Sequence, residues 1–305
     1  MNRMCSLVVL VLVFANPLFC YEKKLSIGMI FKNEAPYLKE WIEYHLLVGV
    51  ECFYLYNDGS TDAYKQVLSP YVKKGIVILS DAVQQPDFNG TQVDCYNRTL
   101  IQTYGKCKWV AMIDSDEFLV TSSGIKILDL LDELDSFAGV MVNWRNFGTS
   151  NIDKIPSNKL MIECLTHCAE DAHPMNSIVK CIVRPDRVRC FGGPHWPELT
   201  PNRYCVDTDG VRYTPPAALF KVNKLWINHY WTRDKDFLIN VKIPRSIPWG
   251  RTSEGVLSLA ASLNASTDTT ILRHVPQLRK KIFAHKKSSK SKLRQKKATS
   301  YDRKI

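Results

Sequence analysis

Three short polar segments each follow a predicted strand, and their side chains are of the types that bind a cation and a phosphorylated ligand. The segments are Lys32-Asn33-Glu34, Asn57-Asp58-Gly59-Ser60 and Asp114-Ser115-Asp116-Glu117. Asp114 and Asp116 are separated by one residue, so both can face one cation, or a cation and a ribose. Hard carboxylate oxygens suit Mg²⁺ or Mn²⁺, which retain coordination positions for water and phosphate oxygens. The pair therefore predicts a Mn²⁺ or Mg²⁺ site.

The elements that must position these side chains alternate between strand and helix. The predicted strands are 25–31, 52–56, 76–79, 109–113 and 140–142, and the predicted helices are 36–46, a helix ending near 74, 92–104 and 125–134. This alternation predicts β-α-β units, and hence an α/β fold with a doubly wound, mostly parallel sheet and helices on both faces. Ligands bind outside the carboxyl ends of such strands. We therefore expect the three polar segments at one rim of the sheet.

The chain of 305 residues is expected to have three parts. Residues 1–20 contain a basic start, an apolar run at 7–15 and a break at Asn16-Pro17, which predicts a signal peptide or an N-terminal anchor. Residues 23–250 form the α/β domain, whose Cys- and Pro-rich second half predicts long loops around a few strands. Residues 251–305 form a helical and basic C-terminal tail, partly disordered. The protein is expected in the secretory pathway or exported, either secreted or membrane-anchored by its N-terminus.

The net charge of +11 comes from the end of the chain. Residues 273–305 hold 13 of the 41 Lys and Arg residues but only one of the 30 Asp and Glu residues, so the first 272 residues carry a net charge of −1. This distribution argues against a nucleic-acid-binding surface across the fold. Two interpretations of the tail stay open: a solvated segment, or an attachment to an anionic membrane or an acidic glycan.

Eight cysteines follow the leader, at positions 52, 95, 107, 164, 168, 181, 190 and 205. In an exported domain they predict disulfides, although the pairing does not follow from the sequence. A zinc site built from Cys164, His167, Cys168 and His173 is the less economical alternative, because no two cysteines have the spacing of a zinc knuckle.

Two familiar phosphate-binding motifs are absent from the sequence. No Gly-x-Gly-x-x-Gly follows the first strand, which argues against a dinucleotide oxidoreductase. No Gly-x-x-x-x-Gly-Lys-Ser/Thr occurs either, which excludes a P-loop. Without a glycine-rich loop, a bound diphosphate would need a metal to neutralise it.

The order of several motifs is similar to that of glycosyltransferase family 92, a group of GT-A-type enzymes related to the family 2 glycosyltransferases. The matching segments are Lys32-Asn33-Glu34, the helix from Tyr37 to His45, Tyr56 to Asp62, Asp114 to Phe118, Lys180 to Pro185, and Asn228 to Arg233 with Phe237 and Lys242 after it. The resemblance spans residues 25–249, which is most of the chain after the leader.

The resemblance implies a metal-dependent enzyme that transfers a hexose, such as galactose, from a nucleotide-sugar donor, UDP-linked, to a glycan acceptor. By position, Glu34 and Asp58 would contact the uridine base or the ribose. Asp114 would reach the ribose or the metal, and Asp116 the metal. A histidine from the second half often completes such sites, and His229 is the matching candidate, with a buried core histidine as the alternative. Arg233 would offset diphosphate charge, or form a surface ion pair.

The general base is open at this stage. Inverting transfer needs a carboxylate or histidine that accepts the proton of the acceptor hydroxyl, whereas retaining transfer does not. The candidates in the second half are Glu163, Asp171, His195 and Glu198. His195 and Glu198 are preferred, because they share a Gly/Pro-rich loop with Trp196, which could stack on a sugar. For this loop, the alternative is a structural turn around a buried tryptophan.

Two other function classes stay open. An Asp-based phosphohydrolase would use Asp114 and Asp116 as nucleophile and acid, but such enzymes place these residues after the first strand of the domain. A non-catalytic binding protein could retain a degenerate transferase fold, but it would not need Asp116.

Overall fold

A computed structural model describes residues 21–214, 220 and 222–283. The predicted leader and the Lys-rich segment 286–304 lie outside the described residues, and so does what was predicted for them. Within the described part, no helix combines the length and the apolar character needed to cross a membrane.

The strands and helices are numbered in chain order. The strands are β1 (Lys23–Phe31), β2 (Cys52–Asn57), β3 (Val77–Asp81), β4 (Cys107–Met112), β5 (Glu117–Thr121), β6 (Gly139–Asn146), β7 (His167–Cys168), β8 (Val179–Val183), β9 (Val188–Gly193), β10 (Trp196–Leu199), β11 (Cys205–Val206), β12 (Leu225–His229) and β13 (Ser266–Thr267). The α-helices are α1 (Ala35–Leu47), α2 (Tyr64–Lys73), α3 (Phe88–Thr103), α4 (Ile127–Glu133), α5 (Met161–Cys164), α6 (Lys235–Phe237), α7 (Ile243–Ser246) and α8 (Ser253–Ser262). A π-helical turn at Leu238–Lys242 joins α6 to α7.

A sheet of nine strands forms the centre of the described chain. Its order is β3-β2-β1-β4-β8-β6-β12-β5, with β11 paired to β6. The strands β3, β2, β1 and β4 are parallel, as are the pairs β6–β12 and β6–β11, whereas β8 and β5 run antiparallel to their neighbours. The predicted α/β class with a mostly parallel sheet is confirmed.

The strand β1 shows why helices cover both faces of the sheet. Leu25, Ile27 and Met29 belong to one buried apolar cluster, which also contains residues of α1, α2 and α4. Ile30, on the alternate face, belongs to a second cluster with residues of α3. Because successive side chains of a strand point to opposite faces, a nearly continuous apolar run is typical of a strand that is buried on both.

The second half of the chain enters the same sheet. The sequence predicted long loops around a few strands there, but β8 lies between β4 and β6, and β12 lies between β6 and β5. Strand β5, directly after the Asp114–Glu117 segment, was not predicted. Within the register of β12 and β5, His229 is the partner of Glu117. This pairing brings the second half next to the acidic segment.

The residues after 250 pack on the domain. Leu263, Ile271 and Leu278 are fully buried, and the latter two belong to the same cluster as Leu25. The described part of the predicted C-terminal tail thus contributes apolar side chains to the core.

The cysteine prediction is wrong in this structure. All eight cysteines after the leader are free thiols, and six of them are buried. Cys52, Cys107, Cys181 and Cys205 lie on strands of the central sheet and pack as small apolar side chains in the cluster beneath α3. The alternative zinc site is not formed, because the described residues contain no group of three metal-ligating side chains of the His, Cys, Asp or Glu type.

The closest approach of α3 to the sheet depends on a glycine. A Cβ atom at Gly28 would lie 2.8 Å from Thr99 Cγ2 and 2.9 Å from Met112 Sδ, too close for either neighbour. We expect Gly28→Ala to lower the free energy of unfolding by about 1–3 kcal/mol, because it overpacks a buried contact. Urea denaturation measures this change. The matched control is Gly193→Ala in β9, where a Cβ meets nothing within 4 Å; equal loss in both variants would contradict the packing argument.

Candidate active site

A cleft with a volume of about 980 Å³ lies at the carboxyl ends of β1, β2 and β4. Its lining contains residues from all three polar segments predicted from the sequence, including Glu34, Asp58, Asp114 and Asp116. The expectation that these segments meet at one rim is confirmed. Other lining residues come from the chain after β3 and from the segment 242–251.

Glu34 is held by a buried arginine. Arg233 Nη2 donates to Glu34 Oε2, and the Arg233 side chain is 1% exposed. The guanidinium carbon lies 3.7 Å from the centre of the Tyr37 ring and 4.3 Å from that of Phe237, so it is enclosed by two aromatic rings. The alternative of a surface ion pair is therefore wrong. Because Arg233 contacts Glu34 and does not line the cleft, the structure supports a positioning role and gives no support to contact with a diphosphate.

Asp58 and the first polar segment form one connected rim. Asp58 Oδ1 accepts from Gln84 Nε2 at 2.5 Å, and Asp58 Oδ2 lies 3.4 Å from Lys32 Nζ. Asn33 has a positive φ of 55° and its backbone N–H donates to Ser60 Oγ at 2.9 Å. This left-handed turn, which asparagine tolerates better than most residues, ties the end of β1 to the turn after β2.

Asp114 is engaged by two buried partners. Its Oδ2 accepts from Lys180 Nζ at 2.8 Å and its Oδ1 from Gln92 Nε2 at 2.8 Å. Burial disfavours the charge of Lys180, but the carboxylates of Asp114 and Glu117 outweigh burial and raise the lysine pKa well above its ordinary value. These bonds do not bring Asp114 into a cluster with the other predicted metal ligands. Its assignment to the metal or to the ribose stays a prediction.

Asp116 and His229 face each other in the structure. His229 Nε2 lies 3.8 Å from Asp116 Oδ1, and the backbone is fixed by a hydrogen bond from Tyr230 N to Asp116 O at 2.8 Å. His229 Nδ1 lies 2.9 Å from Asn146 Oδ1, whose amide nitrogen donates to Asn176 Oδ1. Because an amide oxygen only accepts, His229 carries its proton on Nδ1 and presents a bare Nε2 to Asp116.

The protonation states of this pair suit a cation. Burial lowers the pKa of His229 to about 4, so the ring is neutral at pH 7. Burial opposes ionisation of Asp116, but the charges of His229, Lys242 and Arg233 lower its pKa to about 2. At neutral pH His229 is uncharged, and Lys242 and Arg233 are the charges that still favour ionised Asp116. A carboxylate oxygen and an imidazole lone pair face each other with no proton between them, so these residues fit a Mn²⁺ or Mg²⁺ ion, with water and phosphate oxygens as further ligands.

The two preferred base candidates lie in different environments. His195 Nδ1 donates to Val179 O at 2.7 Å, which leaves Nε2 as a lone pair, and its ring packs against Trp144. Burial and the charge of Lys180 lower the pKa of His195, so it is neutral at pH 7. Trp144 also contacts His229, with 4.1 Å between ring centres. His195 is thus joined to the site through one shared side chain.

Glu198 is not brought to the cleft. It lies on the exposed hairpin of β9 and β10 and accepts from Arg189 and from Cys190 Sγ. Trp196 on the same hairpin packs against Tyr213. The other two candidates are also occupied, since Glu163 pairs with Arg279 and Asp171 with Arg145.

Sequence reasoning gave no role to two lysines of the site. Lys180 is a lone charge in the otherwise apolar run Val179–Val183, a signal that a buried counterion is needed. Lys242 lines the cleft but stood in the sequence only as part of a family motif.

A variant of His229 tests whether Asp116 and His229 bind a cation. We expect His229→Ala to weaken Mn²⁺ binding by about tenfold or more, because one of two protein ligands is lost, while unfolding stays cooperative. Electron paramagnetic resonance of free Mn²⁺ during titration measures the affinity. Its control is His173→Ala, whose half-buried ring lies outside the cleft lining and is bonded to Ser262. A His229→Ala variant that melts earlier but binds Mn²⁺ as the parent does would show that His229 is a packing residue.

Comparison with known proteins places this chain in a family. A model of glycosyltransferase family 92 matches residues 25–304. A family 92 protein of Ricinus communis is 24% identical over 143 residues, which cover 46% of this chain and 25% of that protein. One of Arabidopsis thaliana is 24% identical over 181 residues, covering 54% and 29%. A galactan β-1,4-galactosyltransferase of Arabidopsis thaliana is 26% identical over 134 residues, covering 42% and 24%. The chain thus spans less than a third of the length of these relatives.

Two solved structures overlap with the chain in part. The crystal structure of S. aureus TarS residues 1–349 in complex with UDP is 17% identical and covers 53% of this chain and 47% of that one, with a TM-score of 0.34. Glucosyl-3-phosphoglycerate synthase of Mycobacterium tuberculosis, in complex with Mn²⁺, UDP and glucosyl-3-phosphoglycerate, is 14% identical and covers 65% and 74%, with a TM-score of 0.32. Because the family model matches all but the first 24 residues and the last one, the chain belongs to glycosyltransferase family 92.

Proposed function

We propose that this protein is a metal-dependent glycosyltransferase that transfers a hexose from a UDP-linked donor to a glycan acceptor. The observation that carries the proposal is the contact of His229 with Asp116, which lines the cleft together with Glu34, Asp58 and Asp114. Family membership supports the reaction class. Galactose is the first sugar to test, because one relative is named a galactan β-1,4-galactosyltransferase.

The residues of the site have separate roles in this proposal. Asp116 and His229 would hold a Mn²⁺ or Mg²⁺ ion, which, when bound, supplies Lewis-acid stabilisation of the leaving diphosphate. Asp114, fixed by Lys180 and Gln92, is positioned to accept a hydrogen bond from the ribose. Glu34 and Asp58 lie at the rim formed by β1 and β2 and are assigned to the nucleoside.

We assign the base of an inverting reaction to His195, which is not among the residues lining the cleft but has a free Nε2 lone pair and shares the Trp144 ring with His229. The acceptor oxygen would attack the anomeric carbon, the bond from that carbon to the diphosphate would break, and UDP would leave with the bonding electrons. The neutral Nε2 of His195 would take the hydroxyl proton. Glu198, which is bonded to Arg189 on the exposed hairpin, is withdrawn from this role.

The phosphohydrolase alternative is disfavoured by the contacts of Asp114. Hydrogen bonds from Lys180 and Gln92 stabilise the Asp114 carboxylate and lower its nucleophilicity, and family membership favours glycosyl transfer over phosphate ester hydrolysis. A non-catalytic binding protein on a degenerate transferase fold would not need Asp116, which is retained in the cleft lining.

The location of the protein and the role of its basic end are part of the proposal. We assign it to the secretory pathway or to export, held by or released from its N-terminal segment, as the sequence predicts. The basic residues after 285 would either stay solvated or attach the enzyme to an anionic membrane or an acidic glycan.

Loss of one carboxylate tests the proposed function. We expect Asp116→Asn to reduce Mn²⁺-dependent release of UDP from UDP-galactose, or from the UDP-hexose that the wild type uses best, by about 10²-fold or more, because the cation loses its charged ligand. The measurement is UDP release from a panel of UDP-hexoses with a β-galactan acceptor.

The matched control for this variant is Asp153→Asn, whose side chain is 90% exposed. It should release UDP at the wild-type rate. Full activity of Asp116→Asn would show that the reaction does not need a cation bound by Asp116. Hydrolysis of simple phosphate esters by the wild type, with no use of any UDP-hexose, would favour the phosphohydrolase.

A further inference from the structure

Four cationic side chains line the cleft, and they differ in whether a carboxylate neutralises them. They are Lys32, Lys242, Arg245 and Arg251. Lys32 Nζ lies 3.4 Å from Asp58, and Arg245 Nη1 lies 3.8 Å from Glu34. Within the described part of the chain, neither Lys242 nor Arg251 has a carboxylate oxygen within 4.0 Å. Among the described residues, these two positive charges at the cleft therefore form no ion pair with a carboxylate.

These two side chains share one aromatic ring. Lys242 Nζ lies 4.7 Å from the centre of the Trp231 ring, and Arg251 Cζ lies 5.5 Å from it. Trp231 is 8% exposed and lines the cleft itself. The ring attracts each cation through its quadrupole, but it does not cancel the repulsion between them. An anion bound beside Trp231 would neutralise both charges.

The local fold explains why Lys242 reaches this position. It is the last residue of the π-helical turn Leu238–Lys242, which follows α6 without a break and leads into α7. A π-turn adds a residue to the helical repeat, so it changes the direction in which the following side chains leave the axis. Lys242 is also one of the charges that lower the pKa of Asp116, so its ammonium group acts on the same part of the cleft as the proposed cation.

The arginine assigned to the diphosphate from the sequence does not line the cleft. Arg233 is enclosed by Tyr37 and Phe237 and donates to Glu34. Lys242 and Arg251 line the cleft and have no such partner, so they are the groups that an incoming anion meets first.

We propose that Lys242 and Arg251 form the binding site for the diphosphate of the donor, on the wall of the cleft formed by Trp231. The inference rests on the proposed function, since it names the residues that hold the leaving group of that donor. The ammonium and guanidinium groups donate charge-assisted hydrogen bonds to phosphate oxygens. They remain paired with the diphosphate after the sugar has been transferred, which stabilises the departing UDP.

Ligand binding measured without metal tests the site of Lys242 and Arg251 separately from the proposed metal site of Asp116 and His229. The full-length protein in EDTA is titrated with inorganic pyrophosphate, UDP and uridine by isothermal calorimetry. We expect Lys242→Met and Arg251→Gln each to weaken the binding of pyrophosphate and of UDP by about tenfold, the loss of one charge-assisted contact, and to leave uridine binding unchanged. The control is Lys154→Met, a lysine that is 75% exposed and outside the cleft, which should bind all three ligands as the wild type does.

The outcomes separate the inference from the proposed function. The inference would be overturned if Lys242→Met bound pyrophosphate as tightly as the wild type does. It would also be overturned if this variant lost as much affinity for uridine as for UDP. If the wild type fails to bind pyrophosphate in EDTA, the inference also fails, whatever uridine does. Pyrophosphate binding that depends on Lys242, with no binding of uridine or UDP, would keep the anion site and refute the UDP-linked donor. Arg251 is exposed, so Arg251→Gln keeps the test valid if Lys242→Met does not fold.

Discussion

Three carboxylates within four residues, Asp114, Asp116 and Glu117, must be kept next to an apolar core, and this requirement shapes much of the molecule. Glu117 is fully buried, and its pKa is raised well above the ordinary value, chiefly by burial. Buried charge is tolerated only where a partner compensates it. Lys180 supplies that partner from β8, at 2.8 Å from Asp114 and 3.9 Å from Glu117. The position of β8 beside β4 therefore adds a strand to the sheet and also places a positive charge next to these carboxylates.

The same requirement separates the roles of the two aspartates. Asp114 is neutralised from beneath by a lysine and cannot rotate freely toward a ligand. Asp116 has no cation within bonding distance in the described residues, only the bare nitrogen of His229, and its ionised state depends on the more distant Lys242 and Arg233. Although only one residue separates them, the carboxylate of Asp114 is held by a lysine and that of Asp116 forms no ion pair with a Lys or Arg side chain among the described residues. The Asp116 carboxylate is the group that a metal would need.

The first half of the fold follows from the sequence because its signals are local. Apolar runs such as Leu25–Phe31 predict buried parallel strands, and the carboxyl ends of parallel strands meet at one rim. The amino-acid pattern alone therefore predicts that Glu34, Asp58 and Asp116 lie together. The second half does not follow in this way. The short strands β5 and β12 pair across about a hundred residues, and no local pattern encodes that pairing.

Partners of charged side chains were the least predictable part of the site. Arg233 is a charged residue that a sequence places on the surface by default, yet it is enclosed by two rings and bonded to Glu34. The cysteine prediction failed for a different reason. The expectation of export favours disulfides, whereas positions on the strands of the sheet, such as Cys181, favour packing as small apolar side chains. Glu198 shared a promising loop with His195, but β9 and β10 pair into a hairpin that holds Glu198 away from the cleft. In each case the outcome depends on contacts between residues that are distant in the chain.

We propose that Asp116 and His229 hold the cation that binds the donor. Anomalous diffraction at the manganese edge, from crystals grown with MnCl₂ and UDP, tests this proposal most directly. We expect one strong peak within coordination distance of both Asp116 Oδ1 and His229 Nε2, with UDP density beside it. A manganese peak elsewhere in the cleft, or UDP bound with no peak at this pair, would show that these two residues do not hold the cation.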